Sequence, residues 1–169
     1  MSTRALYTFK ASQEYEHDWN VYKHHDGYPT GAAEHIAKAL NFAWKLPRYE
    51  SDEFAAAFIA ANKVHWDYKK EWAVDKDYLP GGQYSGFSSG GGVRLMPQGD
   101  PIEVATKNCS DIEYRYVVYK KGDKLRVIAF RTSIPWRDNQ TLEDKPIFEC
   151  DLNTMEKHAK AYEKKQVTA

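Results

Sequence analysis

The chain has 169 residues, of which 42% are hydrophobic and 14% aromatic, and it carries 24 basic against 24 acidic side chains. That length supports one domain, residues 1–169, with an ordinary core that needs no metal or disulfide staple, and the apolar share excludes general disorder. The charge balance removes the basic surface on which sequence-independent nucleic-acid binding rests, so nucleic acid is not an expected partner.

No apolar run reaches the ~20 residues of a membrane span. The stretch "MSTRALYTFKASQEYEHDW" has no continuous apolar segment of signal-peptide kind, so the chain is expected to stay where it is made, without a membrane partner. Cys109 and Cys150 lack metal-ligand spacing and read as ordinary thiols of a reducing compartment. Five Trp, twelve Tyr and seven Phe favour a core or binding face built from flat rings.

In chain order, residues 3–10 predict a strand with Ala5, Tyr7 and Phe9 on one face and Leu6 on the other. Residues 19–25 predict a second strand, completing an N-terminal hairpin. Ala33, Ile36, Ala37, Leu40, Ala43 and Trp44 recur at helical steps, with Thr30 as N-cap and Pro47 as terminator. Ser51 is the next expected N-cap, followed by a stripe of Phe54, Ala57, Phe58 and Ala61 that could extend to His65.

"PGGQYSGFSSGGG" then breaks the pattern. Glycine loses the most backbone entropy on ordering, so residues 81–92 are expected to be a long mobile Gly/Ser-rich loop. "VRLM" is a candidate strand. "IEYRYVVY" and "KLRVIAFR" alternate cleanly on either side of Gly122, which predicts a hairpin. Residues 133–150 look irregular, and "NTMEKHAKAYEKK" reads as a closing helix with Asn153 as cap and Glu156 completing a capping box; residues 166–169 are expected to be disordered. The order predicts an α+β domain: an antiparallel sheet of about five strands with helices packed on one face.

The chemistry concentrates at "VYKHHDGYPTGAAEHI". Asp26 and Gly27 suit a tight turn, Pro29 holds Tyr28 extended, and Thr30 opens the helix, so a purely structural corner accounts for most of the letters. Free N–H groups at that helix start, beside an imidazole, would also seat a carboxylate or phosphate. On this reading His24, His25, Asp26, Tyr28, Thr30 and Gly31 form the ligand-binding set. His24 and Asp26 could instead share a metal or polarise a water, but they offer two ligands at best and no H-E-x-x-H or C-x-x-C accompanies them.

The glycine loop lacks both G-x-x-x-x-G-K-[ST] and G-x-G-x-x-G, so a phosphate cradle is not expected; a flap or partner-binding segment centred on Tyr84, Phe87 and Gly90 fits better. Tyr114, Tyr116 and Tyr119 interleave with basic residues as nucleic-acid platforms do, yet Tyr114 and Tyr116 share a face with Ile112 and Val118, which looks to the core. An N-terminal nucleophile at Ser2 or Thr3 would need processing and an oxyanion hole.

The strand opening with Thr3-Arg4, followed by "VYKHHDGYP", resembles a set of conserved hypothetical proteins of tailed bacteriophages and prophages. These share a TR strand and a His-x-Asp-Gly-Tyr corner leading into a helix. The similarity covers residues 2–45 and, loosely, the hairpin at 112–131; His25 stands where that set has an aromatic such as Trp. The resemblance implies a phage-related origin and action inside a bacterial cell, and it transfers no catalytic or binding residue.

These features together point to a non-enzymatic phage-type accessory protein of the bacterial cytoplasm. It would bind a host component, either a host defence protein or a small anionic ligand such as a nucleotide. No cofactor or metal is expected, and exposed rings leave a homodimer open. The alternative is a metal-assisted hydrolase or nucleotide-processing enzyme using His24 and Asp26.

Overall fold

The computed structural model describes residues 3–63, 93–95, 112–132 and 144–169. β1 (Arg4–Phe9) and β2 (Trp19–Lys23) form the N-terminal hairpin, with Tyr7 opposite Val21. Alternation along paired strands puts Ala5, Tyr7 and Phe9 on one face together with Trp19, Val21 and Lys23.

Two helices follow. In α1 (Pro29–Ala39) the N-cap is Tyr28 rather than Thr30, because Pro29 already supplies the fixed φ suited to the first helical turn. The helix ends at Ala39, so its buried stripe is Ala32, Ala33, Ile36 and Ala39. Leu40 and Trp44, expected on that stripe, lie past the helix and face outward. In α2 (Ser51–Lys63) the first turn closes through Phe54 N–H on Glu50 O at 3.0 Å. Ser51 does not cap; its hydroxyl donates to His17 O at 2.6 Å, tying α2 to the β1–β2 loop. Phe54, Ala57 and Phe58 are buried as the periodicity predicts.

β3 (Arg94–Leu95) is a two-residue edge beside β2. β4 (Ile112–Lys121) and β5 (Lys124–Thr132) form the predicted hairpin, with Gly122 at φ 60°. β6 (Asp144–Asp151) corrects the expected irregular stretch: it pairs antiparallel with β5 and carries Pro146 at the sheet edge, where no ladder donor is needed. A 3-10 turn at Leu152–Thr154 leads into α3 (Met155–Val167). Asn153 therefore lies inside that turn and Thr154 is the N-cap, without a side-chain capping bond. Helix continues through residues 166 and 167, which the sequence reading left disordered.

The sheet order is β3-β2-β1-β4-β5-β6. It is mostly antiparallel, and the fold is α+β. One pair departs from the expectation: β1 and β4 are parallel, with Tyr7 opposite Tyr116. Parallel partners need a long crossover, and α1 and α2 lie between these two in the chain.

Rings from sheet and helix make the core. Tyr7 meets Phe58 at 4.5 Å between centroids and Tyr116 at 5.2 Å, while Phe9 meets Phe54 at 5.3 Å. Ile36, Ala39, Met155 and Ala159 join the same buried cluster, so the described helices pack on one face of the sheet. Cys150 is a buried free thiol within it. Among the described residues no helix is long and apolar enough to cross a membrane.

Candidate functional site

The corner after β2 is fixed by close backbone approach. Gly27 N–H donates to Thr3 O at 2.9 Å, and the buried Tyr116 hydroxyl donates to Gly27 O at 2.7 Å. A Cβ on Gly27 would sit 2.6 Å from Ala5 Cβ, and one on Gly31 would sit 2.3 Å from Asp26 O. Both positions therefore require glycine for space. Asp26 takes the left-handed conformation, φ 55°, which Asp tolerates better than most residues.

The anion seat predicted at the start of α1 is already filled. Glu163, on α3, accepts from Thr30 N–H at 2.8 Å and from the Thr30 hydroxyl at 3.0 Å. The protein's own carboxylate thus occupies the positive end of the helix, as an external anion would have done. This corrects the expected role of Thr30, and the contact spans 133 residues of sequence.

The imidazoles go elsewhere. His24 Nδ1 lies 2.5 Å from the Tyr22 hydroxyl, and Arg4 Nε–H donates to the same nitrogen at 3.3 Å. That nitrogen is an acceptor, and a guanidinium beside it opposes a bound cation. His25 packs edge-on against His24 at 4.6 Å. Burial lowers its pKa, with Lys23 adding to the effect. Among the described residues no three His, Cys, Asp or Glu side chains gather around a metal-sized space. The six predicted residues therefore divide: His24 and His25 side by side, Asp26 exposed in the turn, and Tyr28, Thr30 and Gly31 on the helix. Tyr84, Phe87, Gly90 and the loop at 81–92 lie outside the described residues.

Tyr28, Thr30 and Gly31 line a groove of about 450 Å³ between α1 and the start of α3. Ala33, Ile36 and Met155 make a buried apolar floor; Leu40 and Leu152 continue it, and Glu34, Glu156 and Lys160 stand along the walls. The charges are already matched within each helix, Glu34 with Lys38 at 2.7 Å and Glu156 with Lys160, so the groove offers little net field. Its volume falls in the range of specific binding clefts. Past Leu40 the chain carries further exposed apolar side chains: Phe42 is 58% exposed, and Trp44 and Leu46 are also exposed. Arg48 lies over the Trp44 ring at 3.3 Å, and Glu53 accepts from Trp44 N–H at 3.0 Å, which gives this turn a defined shape.

Sequence reasoning found Tyr28, Thr30 and Gly31 but not the α3 wall, because nothing in a linear pattern places residues 152–160 beside residues 28–40. Leu40 was expected on the buried stripe, and it reaches the groove only because the helix ends one residue earlier, at Ala39. The tyrosines proposed as a stacking platform are used internally. Tyr116 is buried, Tyr114 stacks on it at 6.3 Å, and the Tyr119 hydroxyl donates to Glu149. Compared with known proteins, the chain matches no family model, no curated protein and no solved structure.

Proposed function

We propose that this is a non-enzymatic binding protein, an accessory protein of phage type working in the bacterial cytoplasm, which engages a host protein through the α1–α3 groove. The observation that carries the reading is the apolar floor of the groove with exposed Leu40 at its edge, followed in the chain by the exposed side chains of Phe42, Trp44 and Leu46. Exposed apolar surface rimmed by charge is characteristic of protein contact sites, and aromatic anchors dominate their energetics. Phage origin and compartment rest on the resemblance of the Thr3-Arg4 strand and the His-x-Asp-Gly-Tyr corner. The hydrolase alternative gains no support from His24, whose Nδ1 is engaged by Tyr22 and Arg4.

Ala37 lines the groove and is exposed, so Ala37→Arg blocks it without entering the core. Helix propensity changes little between these residues, and stability should stay within about 0.5 kcal/mol. Tagged wild type and Ala37→Arg are passed over a bacterial extract, and a retained protein is purified and its Kd measured against both. The reading expects at least a tenfold weaker Kd for the variant. Equal affinity for wild type, Ala37→Arg and Leu40→Asp would remove the groove from the function.

A further inference from the structure

The sheet face turned away from the helices carries a basic cluster at the corner where β1 starts and β2 ends. Alternation puts Arg4 and Leu6 of β1 on that face, and Tyr22 lies on it opposite Leu6. Ala5 pairs with Lys23, so His24, one step past the end of β2, falls beside Arg4. Backbone contacts hold this arrangement. Gly27 N–H donates to Thr3 O at 2.9 Å, and Arg4 and Ala5 close the space around Gly27. The corner is thereby folded back on the start of β1, and side chains 20 residues apart in sequence meet.

The contacts define what the cluster suits. Arg4 Nε–H donates to His24 Nδ1 at 3.3 Å, and the Tyr22 hydroxyl lies 2.5 Å from the same nitrogen. Nδ1 is therefore the accepting nitrogen, and the neutral ring carries its proton on Nε2. His25 borders His24 at 4.6 Å between centroids, with the two ring planes 88° apart. One guanidinium and two imidazoles thus form a continuous set of contacts, all of them able to donate. Burial lowers the His25 pKa, and Lys23 and Arg4 lower it further against the opposing charge of Asp26.

We infer that Arg4, His24 and His25 form a binding site for a phosphate group, free or carried on an ester, with the guanidinium and the two imidazoles donating to its oxygens. A guanidinium is a planar fork whose spacing matches phosphate oxygens, and hydrogen bonds to a charged acceptor are the strong ones. Imidazole rings set nearly at right angles aim their N–H groups out of one plane, which suits a tetrahedral phosphate better than a flat carboxylate. Arg4, His24 and His25 are half-buried, so solvent ions reach them while screening is reduced. The guanidinium that opposes a metal cation at His24 is the group that favours an anion. This site is separate from the start of α1, which Glu163 fills, and it does not rest on the groove reading.

The test follows the histidine ring signals of the full chain by NMR at pH 7 and constant ionic strength, with inorganic phosphate replacing chloride. Wild type is expected to show saturable shifts of His24 and His25 with one Kd. Arg4→Gln should weaken that Kd at least tenfold. Lys124→Gln, which removes the same charge at the opposite end of the sheet, should leave it within twofold. Acetate should bind at least tenfold more weakly than phosphate. Methyl phosphate binding as tightly as inorganic phosphate, or tighter, assigns an esterified ligand; weaker binding assigns the free ion. Unmoved or non-saturating ring signals, equal affinity for acetate, or an equal loss in Arg4→Gln and Lys124→Gln overturns the inference. Should Arg4→Gln not fold, Arg4→Lys replaces it: the charge stays, the fork is lost, and Kd should weaken at least threefold. An unchanged Kd in that variant overturns the site.

Discussion

Glu163→Ala isolates the contact that ties the last helix to the first. In the folded protein one carboxylate accepts from both the backbone N–H and the hydroxyl of Thr30, in a part-buried setting. Removing it strands an N–H at the start of α1, where the ladder offers no replacement, and deletes a negative charge from the positive end of the helix dipole. Hydrogen bonds to charged groups contribute about 1.5–3 kcal/mol and the dipole about 0.3–1 kcal/mol. Water can reach this site, so the lower half of the combined range applies, about 1.8–2.9 kcal/mol. For a chain of this size that is roughly 4–12 °C in Tm. Urea unfolding should show a lower midpoint with unchanged slope, because no core surface is altered. Thr30→Ala keeps the N–H and loses only the hydroxyl, so it should cost less. In a double-mutant cycle the pair should couple by about 1 kcal/mol. A loss below about 0.5 kcal/mol for Glu163→Ala, or strict additivity with Thr30→Ala, would show that the contact does not anchor α1.

Two tyrosines stacked on each other should respond oppositely to the same deletion. Tyr116→Phe orphans the buried Gly27 carbonyl and should lower stability by about 1–2 kcal/mol, whereas Tyr7→Phe removes a fully buried hydroxyl that has no hydrogen-bond partner among the described residues and should be neutral or slightly stabilising. Equal losses in denaturant titrations would contradict this hydrogen-bond assignment. His35 gives a pH signature. Its folded pKa of about 3 lies below the ordinary histidine value, so the unfolded chain binds the extra proton. Its stabilising contribution is complete above about pH 6.5 and declines as pH falls toward 3, by at most about 1.4 kcal/mol per pH unit. His35→Gln should flatten that part of the stability–pH curve, and parallel wild-type and variant curves between pH 6 and 4 would show that His35 titrates normally.

The hairpin of β4 and β5 was legible because alternation and Gly122 agree, and the α2 stripe because Phe54, Ala57 and Phe58 repeat at helical steps within one element. β6 was not, since "DKPIFECD" mixes charges with a proline and becomes a strand only through its pairing with β5. The parallel register of β1 and β4 is a tertiary choice that neither strand's pattern encodes. At the candidate sites, Gly27 was readable as a turn-former and Gly31 only as a member of the ligand-binding set, but what requires glycine at each is a close neighbour, Arg4–Ala5 in one case and the Asp26 carbonyl in the other. Glu163 looked like one more solvated charge on a helix rich in lysine and glutamate.

The parallel β1–β4 pair has a consequence for synthesis. During translation β1 emerges and can pair with β2 at once, but its other edge waits for β4, about a hundred residues later. At elongation speeds of about 5–20 residues per second that is an interval of roughly 5–20 s. Throughout it the nascent chain displays an open row of amides and carbonyls flanked by Tyr7 and Phe9, a surface that chaperones recognise and that neighbouring ribosomes' products could join. Yield in the cell should therefore depend on how quickly the segment up to residue 121 is delivered, and slow codons placed between the two strands should cost more soluble protein than the same codons placed after them.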